Sequence, residues 1–140
     1  MKTVERIHLL SSSDALQPLR QLLQSLVATY EFNNKSVDNI ILAINEACMN
    51  IIQHAYSHVN DGEIVIEIFK ENKSLVIKVI DYAKPSDLSK IKSRDLGEVR
   101  PGGLGVHFIY KLMDKVVYKH LQGEMGNLLE MHKNFDCVKQ

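Results

Sequence analysis

The chain has no tryptophan, only three prolines and only two cysteines. Cys48 and Cys137 stand far apart and form no CxxC pair, so the sequence holds neither a disulfide framework nor a cysteine metal knuckle. Cys48 falls within an apolar helical pattern and reads as a small core residue. Charge of one sign is also lacking: 17 basic residues balance 17 acidic ones. That balance leaves no basic field to attract nucleic acid or an anionic membrane, so any phosphate site must be local. No run approaches the roughly 18 apolar residues of a membrane span, and the first residues carry no apolar signal segment. The expectation is a soluble, cytoplasmic protein without nucleic-acid or membrane partners. Its 140 residues suit one domain, residues 1–140, with a core that needs no staples.

Periodicity supplies the elements. Residues 4–10 read as a first strand, followed by turn and cap chemistry at Ser11-Ser12-Ser13-Asp14. Leu16, Leu19, Leu22, Leu23, Leu26 and Val27 repeat at three and four, giving an amphipathic helix with Pro18 in its first turn. Asn33-Asn34 breaks it, and Ser36 or Asp38 is placed to cap the next helix. Val37, Ile40, Ile41, Ile44, Ala47, Cys48, Ile51, Ile52 and Ala55 mark that second helix. Residues 63–69 and 75–81 form two β-rich runs around a short turn, a hairpin signature. Between 82 and 101 the periodicity fades, and so long a loop in a small domain is commonly a lid or binding segment. A helix from about Val106 and strands at 116–120 and 128–132 complete the chain. The order β-α-α-β-β-loop-α-β-β predicts an α+β fold: a two-layer α/β sandwich, with helices on one face of a mostly antiparallel mixed sheet.

Three groups of residues could carry chemistry. Glu46 and Asn50 are four apart on one helix, so their side chains stack one turn apart. A carboxylate there can take a proton, and an amide oxygen can ligate a hard cation such as Mg²⁺. The same pair also fits an ordinary solvated helix face. Asp81 ends an apolar strand, where a carboxylate can accept from an amine or simply begin a turn. Gly102-Gly103-Leu104-Gly105 is read as a turn preceding a helix, where backbone N–H groups and the helix dipole favour anions. It is neither a Walker loop nor a GxGxxG fingerprint, and alone it also fits a plain loop-to-helix turn. His54 and His58 are four apart without a third ligand in spacing, and Lys111, Lys115 and Lys119 read as a solvated stripe.

The joint order carries more than the parts. Asn45-Glu46-Ala47-Cys48-Met49-Asn50-Ile51-Ile52-Gln53-His54-Ala55-Tyr56, then Asp81-Tyr82-Ala83-Lys84-Pro85, then Arg100-Pro101-Gly102-Gly103-Leu104-Gly105 resembles the GHKL (Bergerat-fold) ATP-binding superfamily. That superfamily includes gyrase, heat-shock chaperones, mismatch-repair proteins and sensor histidine kinases. Within it the chain most resembles the small anti-sigma-factor serine/threonine kinases, over essentially its whole length.

The resemblance implies a Bergerat ATP-binding domain using ATP and Mg²⁺. It implies Asn50 as the magnesium ligand, Glu46 as general base and Asp81 as acceptor from the adenine amine. Gly103 and Gly105, with Gly102 and Leu104 beside them, match the lid end near the phosphates, and Arg100 matches a lid arginine at the γ-phosphate or partner contact. His54 and Tyr56 match subfamily positions suited to packing or helix termination. Ala83 departs from the family's glycine two residues after the aspartate, adding a methyl where backbone nears adenine, and the final strands lack the threonine often seen there. The implied function is phosphorylation of a STAS-type anti-sigma antagonist on Ser or Thr, with sequestration of a sigma factor or equivalent regulator, by a homodimer. A non-catalytic ATP-gated binding module is the alternative. The ATP-binding half of a sensor kinase ranks last, because the first helix has no histidine.

Overall fold

The computed structural model describes residues 2–56, 62–83, 101–121 and 126–136, with backbone alone at Lys2 and over 101–106. Strand β1 spans Lys2–Leu10. A 3-10 turn at Ser13–Ala15 follows, its Ser12 cap accepting from the Asp14 N–H, and leads into α1, Leu16–Val27. Most of the leucine repeat faces the core: Leu16, Leu19, Leu23 and Val27 are buried and Leu26 partly so, whereas Leu22 stands exposed, and Pro18 stays in the first turn, where no intrahelical bond is lost.

Helix α2 spans Asn34–Asn50 and buries Val37, Ile40, Ile41, Ala43, Ile44, Ala47 and Cys48. Its cap corrects the expectation of Ser36 or Asp38. Asn33 is the cap, accepting from the Ser36 N–H at 2.8 Å. A residue from the far end of the chain joins it: Asp136 accepts from the Asn33 N–H at 2.6 Å and the Ser36 hydroxyl at 3.2 Å. The helical pattern to Ala55 also divides in two. After Asn50 the chain winds a wider π-helical turn, Ile51–Ala55, closed by the Tyr56 N–H on the Ile51 carbonyl at 2.9 Å. Such turns are rare and recur at functional sites.

Strands β2 (Glu63–Lys70) and β3 (Ser74–Asp81) form the predicted hairpin, its turn closed by the Glu71 N–H on the Ser74 carbonyl. Helix α3 spans Pro101–Leu112, and β4 (Lys115–His120) and β5 (Asn127–Asn134) complete the sheet. The strand order is β1-β2-β3-β5-β4. All four described pairings are antiparallel, so the mixed character allowed for in the sequence reading is not seen among the described residues.

Alternation along the strands decides the two faces. Ile7, Ile64, Ile66, Ile68, Leu75, Ile77, Val79, Leu129 and Met131 share one core with the buried faces of the helices. The register places Arg6, Glu67, Lys78 and Glu130 in one row across the opposite face. Opposite charges alternate along that row, the arrangement cross-strand pairs favour. His132, hydrogen-bonded to Glu130 at 2.7 Å, holds the Glu130 carboxyl below the usual carboxylate range.

Candidate nucleotide site

Asp81 is the last residue of β3 and belongs to the face that the helices cover, in phase with Val79 and Ile77. A carboxylate in that phase is unusual. Its partner is equally unusual: Asn127, the first residue of β5, lies directly opposite and in phase with Leu129 and Met131. Both are buried, Asp81 at 4% exposure and Asn127 at 7%. Asn127 Nδ2 donates to Asp81 Oδ1 at 3.1 Å, and the Ala83 N–H donates to the same oxygen at 3.0 Å. On its other side Asn127 Oδ1 lies 3.0 Å from His120 Nδ1. Burial pushes the Asp81 carboxyl above its ordinary range, while the bonds from Asn127 and Ala83 pull it back.

The backbone beside this pair leaves no spare room. Gly126 has φ of 145°, and a Cβ there would sit 2.5 Å from the Asp81 carbonyl oxygen. Only glycine combines that dihedral with so close an approach. Ala83 is itself buried next to Asp81, so its methyl occupies space where the related pattern carries glycine.

Helix α2 lies over the same core and brings Glu46 and Asn50, both half-buried, one turn apart. Asn50 Nδ2 is buried and has no hydrogen-bond partner among the described residues. A buried amide without a partner costs free energy unless something outside the chain satisfies it. Rotation of the amide about its terminal torsion exchanges its two ends, which would bring the oxygen to the same unpartnered position, where it could meet a cation. The Glu46 carboxylate has no partner among the described residues either, which leaves it open to a ligand.

The remaining predicted residues fare differently. Gly102, Gly103, Leu104 and Gly105 are not a turn before the helix but its first turns, because α3 already begins at Pro101. Proline at a first helical position has its φ preset and loses no bond, which carries the helix start upstream of the glycines. The amides of a first turn still lack intrahelical acceptors. Helix α3 packs along α2, so these glycines belong to the helix neighbouring Glu46 and Asn50. Arg100, the lid segment 84–100 and His58 lie outside the described residues. No group of three or more metal-ligating side chains occurs among the described residues, and His54 stands in the π-helical turn that ends the helix. Lys111, Lys115 and Lys119 are exposed as expected, the first on α3 and the other two on β4.

Sequence reasoning missed Asn127. The signal was present: a polar residue two positions before Leu129 and four before Met131 shares their apolar phase. It also understated Tyr56, whose hydroxyl donates to the Glu63 carbonyl at 2.7 Å and accepts from the Tyr82 N–H at 2.9 Å.

Comparison with known proteins decides the family. The histidine kinase-like ATPase domain matches residues 9–133. The chain belongs to that family. Among curated relatives, the serine-protein kinase RsbW of Bacillus subtilis is 28% identical over 124 residues, covering 82% of this chain and 75% of its own. RsbW of Listeria monocytogenes is 30% identical over 112 residues, covering 74% and 71%. The ATPase domain therefore lies on the branch occupied by the serine-protein kinases. Among solved structures, the RsbU and RsbW domains of a Mycobacterium tuberculosis protein align with a TM-score of 0.64 at 19% identity, covering 93% of this chain. The chain spans about a third of that longer protein, 32%. The histidine kinase AdeS of Acinetobacter baumannii aligns at 0.52 with 11% identity. These two likenesses bear on the fold, and both are consistent with helices layered on one face of an antiparallel sheet.

Proposed function

We propose that this ATPase domain, residues 1–140, is a Mg-ATP-dependent protein serine/threonine kinase of the anti-sigma-factor type. One observation carries the reading: a buried carboxylate, Asp81, and a buried unpartnered amide, Asn50, border the core of a histidine kinase-like fold. In this reading Asp81 Oδ1 is occupied by Asn127 and Ala83, and its remaining acceptor capacity serves the exocyclic amine of adenine. Asn50 holds Mg²⁺ through its amide oxygen. The free first-turn amides of Gly102 and Gly103 serve the phosphates, with Leu104 and Gly105 next in the same helix, and Arg100 supplies further positive charge at the lid end. The ion, when bound, neutralises charge on the phosphates and aligns the transferring group. Glu46 accepts the proton of the substrate hydroxyl as its oxygen bonds to the γ-phosphorus and ADP leaves.

The substrate in this proposal is a STAS-type anti-sigma antagonist, and the regulator sequestered is a sigma factor or its equivalent. Homodimerisation is supported by β1, an edge strand unpaired on one side among the described residues, and by its last residue Leu10 and Leu22 of α1, 59% and 42% exposed. A cytoplasmic setting fits a chain in which no helix among the described residues is long and apolar enough to cross a membrane.

Labelled ATP, Mg²⁺ and a STAS-domain partner test the proposal. The wild type should transfer phosphate to a Ser or Thr of the partner. Glu46→Ala should keep nucleotide affinity and lose transfer by about a hundredfold or more. Asn50→Ala should lose the Mg²⁺-dependent part of binding. A second reading, an ATP-gated binding module without transfer, is favoured by the buried Ala83 methyl beside Asp81. It gains if nucleotide binds and controls partner affinity while no phosphate moves.

A further inference from the structure

The hairpin of β2 and β3 stops one rung early. Its register runs from Lys70↔Leu75 to Ile64↔Asp81, so the next rung would set Glu63 opposite Tyr82. That rung is not made directly. The Tyr56 hydroxyl stands between the two residues, donating to the Glu63 carbonyl at 2.7 Å and accepting from the Tyr82 N–H at 2.9 Å. The phenol thus takes the carbonyl and the amide that a continued ladder would join to each other. Burial keeps the Tyr56 phenol above its ordinary range, so it remains the neutral donor and acceptor that this position requires.

The ring is seated as firmly as the hydroxyl. Gly62 packs against it so closely that a Cβ there would fall 2.5 Å from the ring. Gly62 is held in turn by Ser11, through the Ser11 N–H to the Gly62 carbonyl at 2.8 Å and the Gly62 N–H to Ser11 Oγ at 2.9 Å. Tyr56 also directly follows the π-helical turn that continues the helix of Glu46 and Asn50. One side chain therefore joins the end of that helix to the backbone immediately after Asp81.

We propose that Tyr56 is a positioning residue for adenine recognition: its hydroxyl wedges open the last rung of the β2–β3 hairpin and locks the Asp81 strand end to the helix carrying Asn50. Parting the strands after Asp81 lets the chain turn, so that the Ala83 N–H returns to Asp81 Oδ1 instead of continuing the ladder. The inference rests on the nucleotide reading above and assigns Tyr56 a part in it beyond helix termination. Without the hydroxyl, the strands either close one rung further or leave two backbone groups unpaired. Both outcomes move Asp81 relative to Asn50.

The test compares wild type with Tyr56→Phe, which removes one oxygen and keeps the ring. Binding of ATP and GTP is measured with Mg²⁺, together with amide hydrogen exchange on the ligand-free protein. The variant should bind ATP about three- to tenfold more weakly, the loss expected of one hydrogen bond. Its preference for ATP over GTP should fall, and the Tyr82 amide should exchange faster. A purely structural role would lower the melting temperature and leave the base preference unchanged, which overturns the proposal. An unaltered Kd and preference in a variant whose wild type binds ATP overturns it as well, and leaves the nucleotide reading standing. A wild type that binds no nucleotide overturns both. Should Tyr56→Phe not fold, the Tyr82 amide of the wild type must still be protected beyond the last rung, and rapid exchange there rejects the wedge.

Discussion

Asn127 Nδ2 donates to Asp81 Oδ1 across the β3–β5 pairing, and the two buried polar side chains sit on the face the helices cover. The bond orients a carboxylate that its surroundings would prefer neutral. Burial raises the Asp81 carboxyl, so the folded protein holds that proton more tightly than the unfolded chain does. Ionised Asp81 therefore costs stability, and the cost sets in as pH rises from the ordinary carboxylate value through the raised one.

Asp81→Asn should remove that cost while keeping an oxygen for Asn127 and Ala83. The ligand-free variant is expected to melt higher than wild type at neutral pH. The gap should shrink as pH falls below the usual carboxylate range. ATP binding should weaken by about tenfold or more, the worth of a hydrogen bond to a charged acceptor. Thermal melts across pH, paired with nucleotide titration, check both halves. A variant that melts lower at neutral pH contradicts the burial argument.

Gly126→Ala tests the backbone beside the same pair. The new methyl would meet the Asp81 carbonyl oxygen at 2.5 Å in a backbone with φ of 145°. A loss of about 2 kcal/mol or more is expected in urea unfolding, because strain and overlap act together. Nucleotide affinity should fall further than this destabilisation alone explains, since relieving the overlap moves Asp81.

Asp136→Ala addresses the helix of Glu46 and Asn50 from its other end. Asp136 accepts from the Asn33 N–H and the Ser36 hydroxyl, supplementing the Asn33 cap of α2. Its loss should cost about 1 kcal/mol and lower the melting temperature by a few degrees. Asn33 retains its bond to the Ser36 N–H, so the helix should persist by circular dichroism.

Cys48 is fully buried on α2, and burial pushes its thiol up to about 12. The thiolate is the reactive form, so native protein should leave Cys48 unlabelled by iodoacetamide at pH 8. Labelling should appear only as urea unfolds the chain, read by mass spectrometry of the Cys48 peptide. Native-state labelling would show that α2 opens locally.

Strong periodicity made most of the fold legible. The leucines of α1, the isoleucines of α2 and the β2–β3 hairpin each carry a local pattern that tertiary packing only reinforced. What escaped depended on distant partners. The cap of α2 is completed by Asp136, which no reading of residues near Asn33 can supply. Asn127 becomes a partner of Asp81 only because β5 inserts between β3 and β4. The start of α3 lies ahead of the glycines read as a turn, because Pro101, its φ preset, starts the helix before them. Glu46, Asn50 and Asp81 are proposed from the joint order that carries the family resemblance, whereas nothing in that order points to the part of Tyr56. Its hydroxyl acts on a hairpin rung that local sequence does not reveal.

The strand order also sets a timetable. Asp81 is synthesised 46 residues before the asparagine that orients it, and β3 lacks one neighbour until β5 has been made. Closing so long a loop must precede any reward from the pairing. On the ribosome, a chain that has passed Ala83 but not yet reached Asn127 can offer the Asp81 carboxylate only the Ala83 N–H, and the proposed adenine site lacks its cross-strand asparagine. If Asp81 receives adenine as proposed, nucleotide can stabilise only a chain in which β5 has already paired with β3, so its capture follows that pairing rather than guiding it.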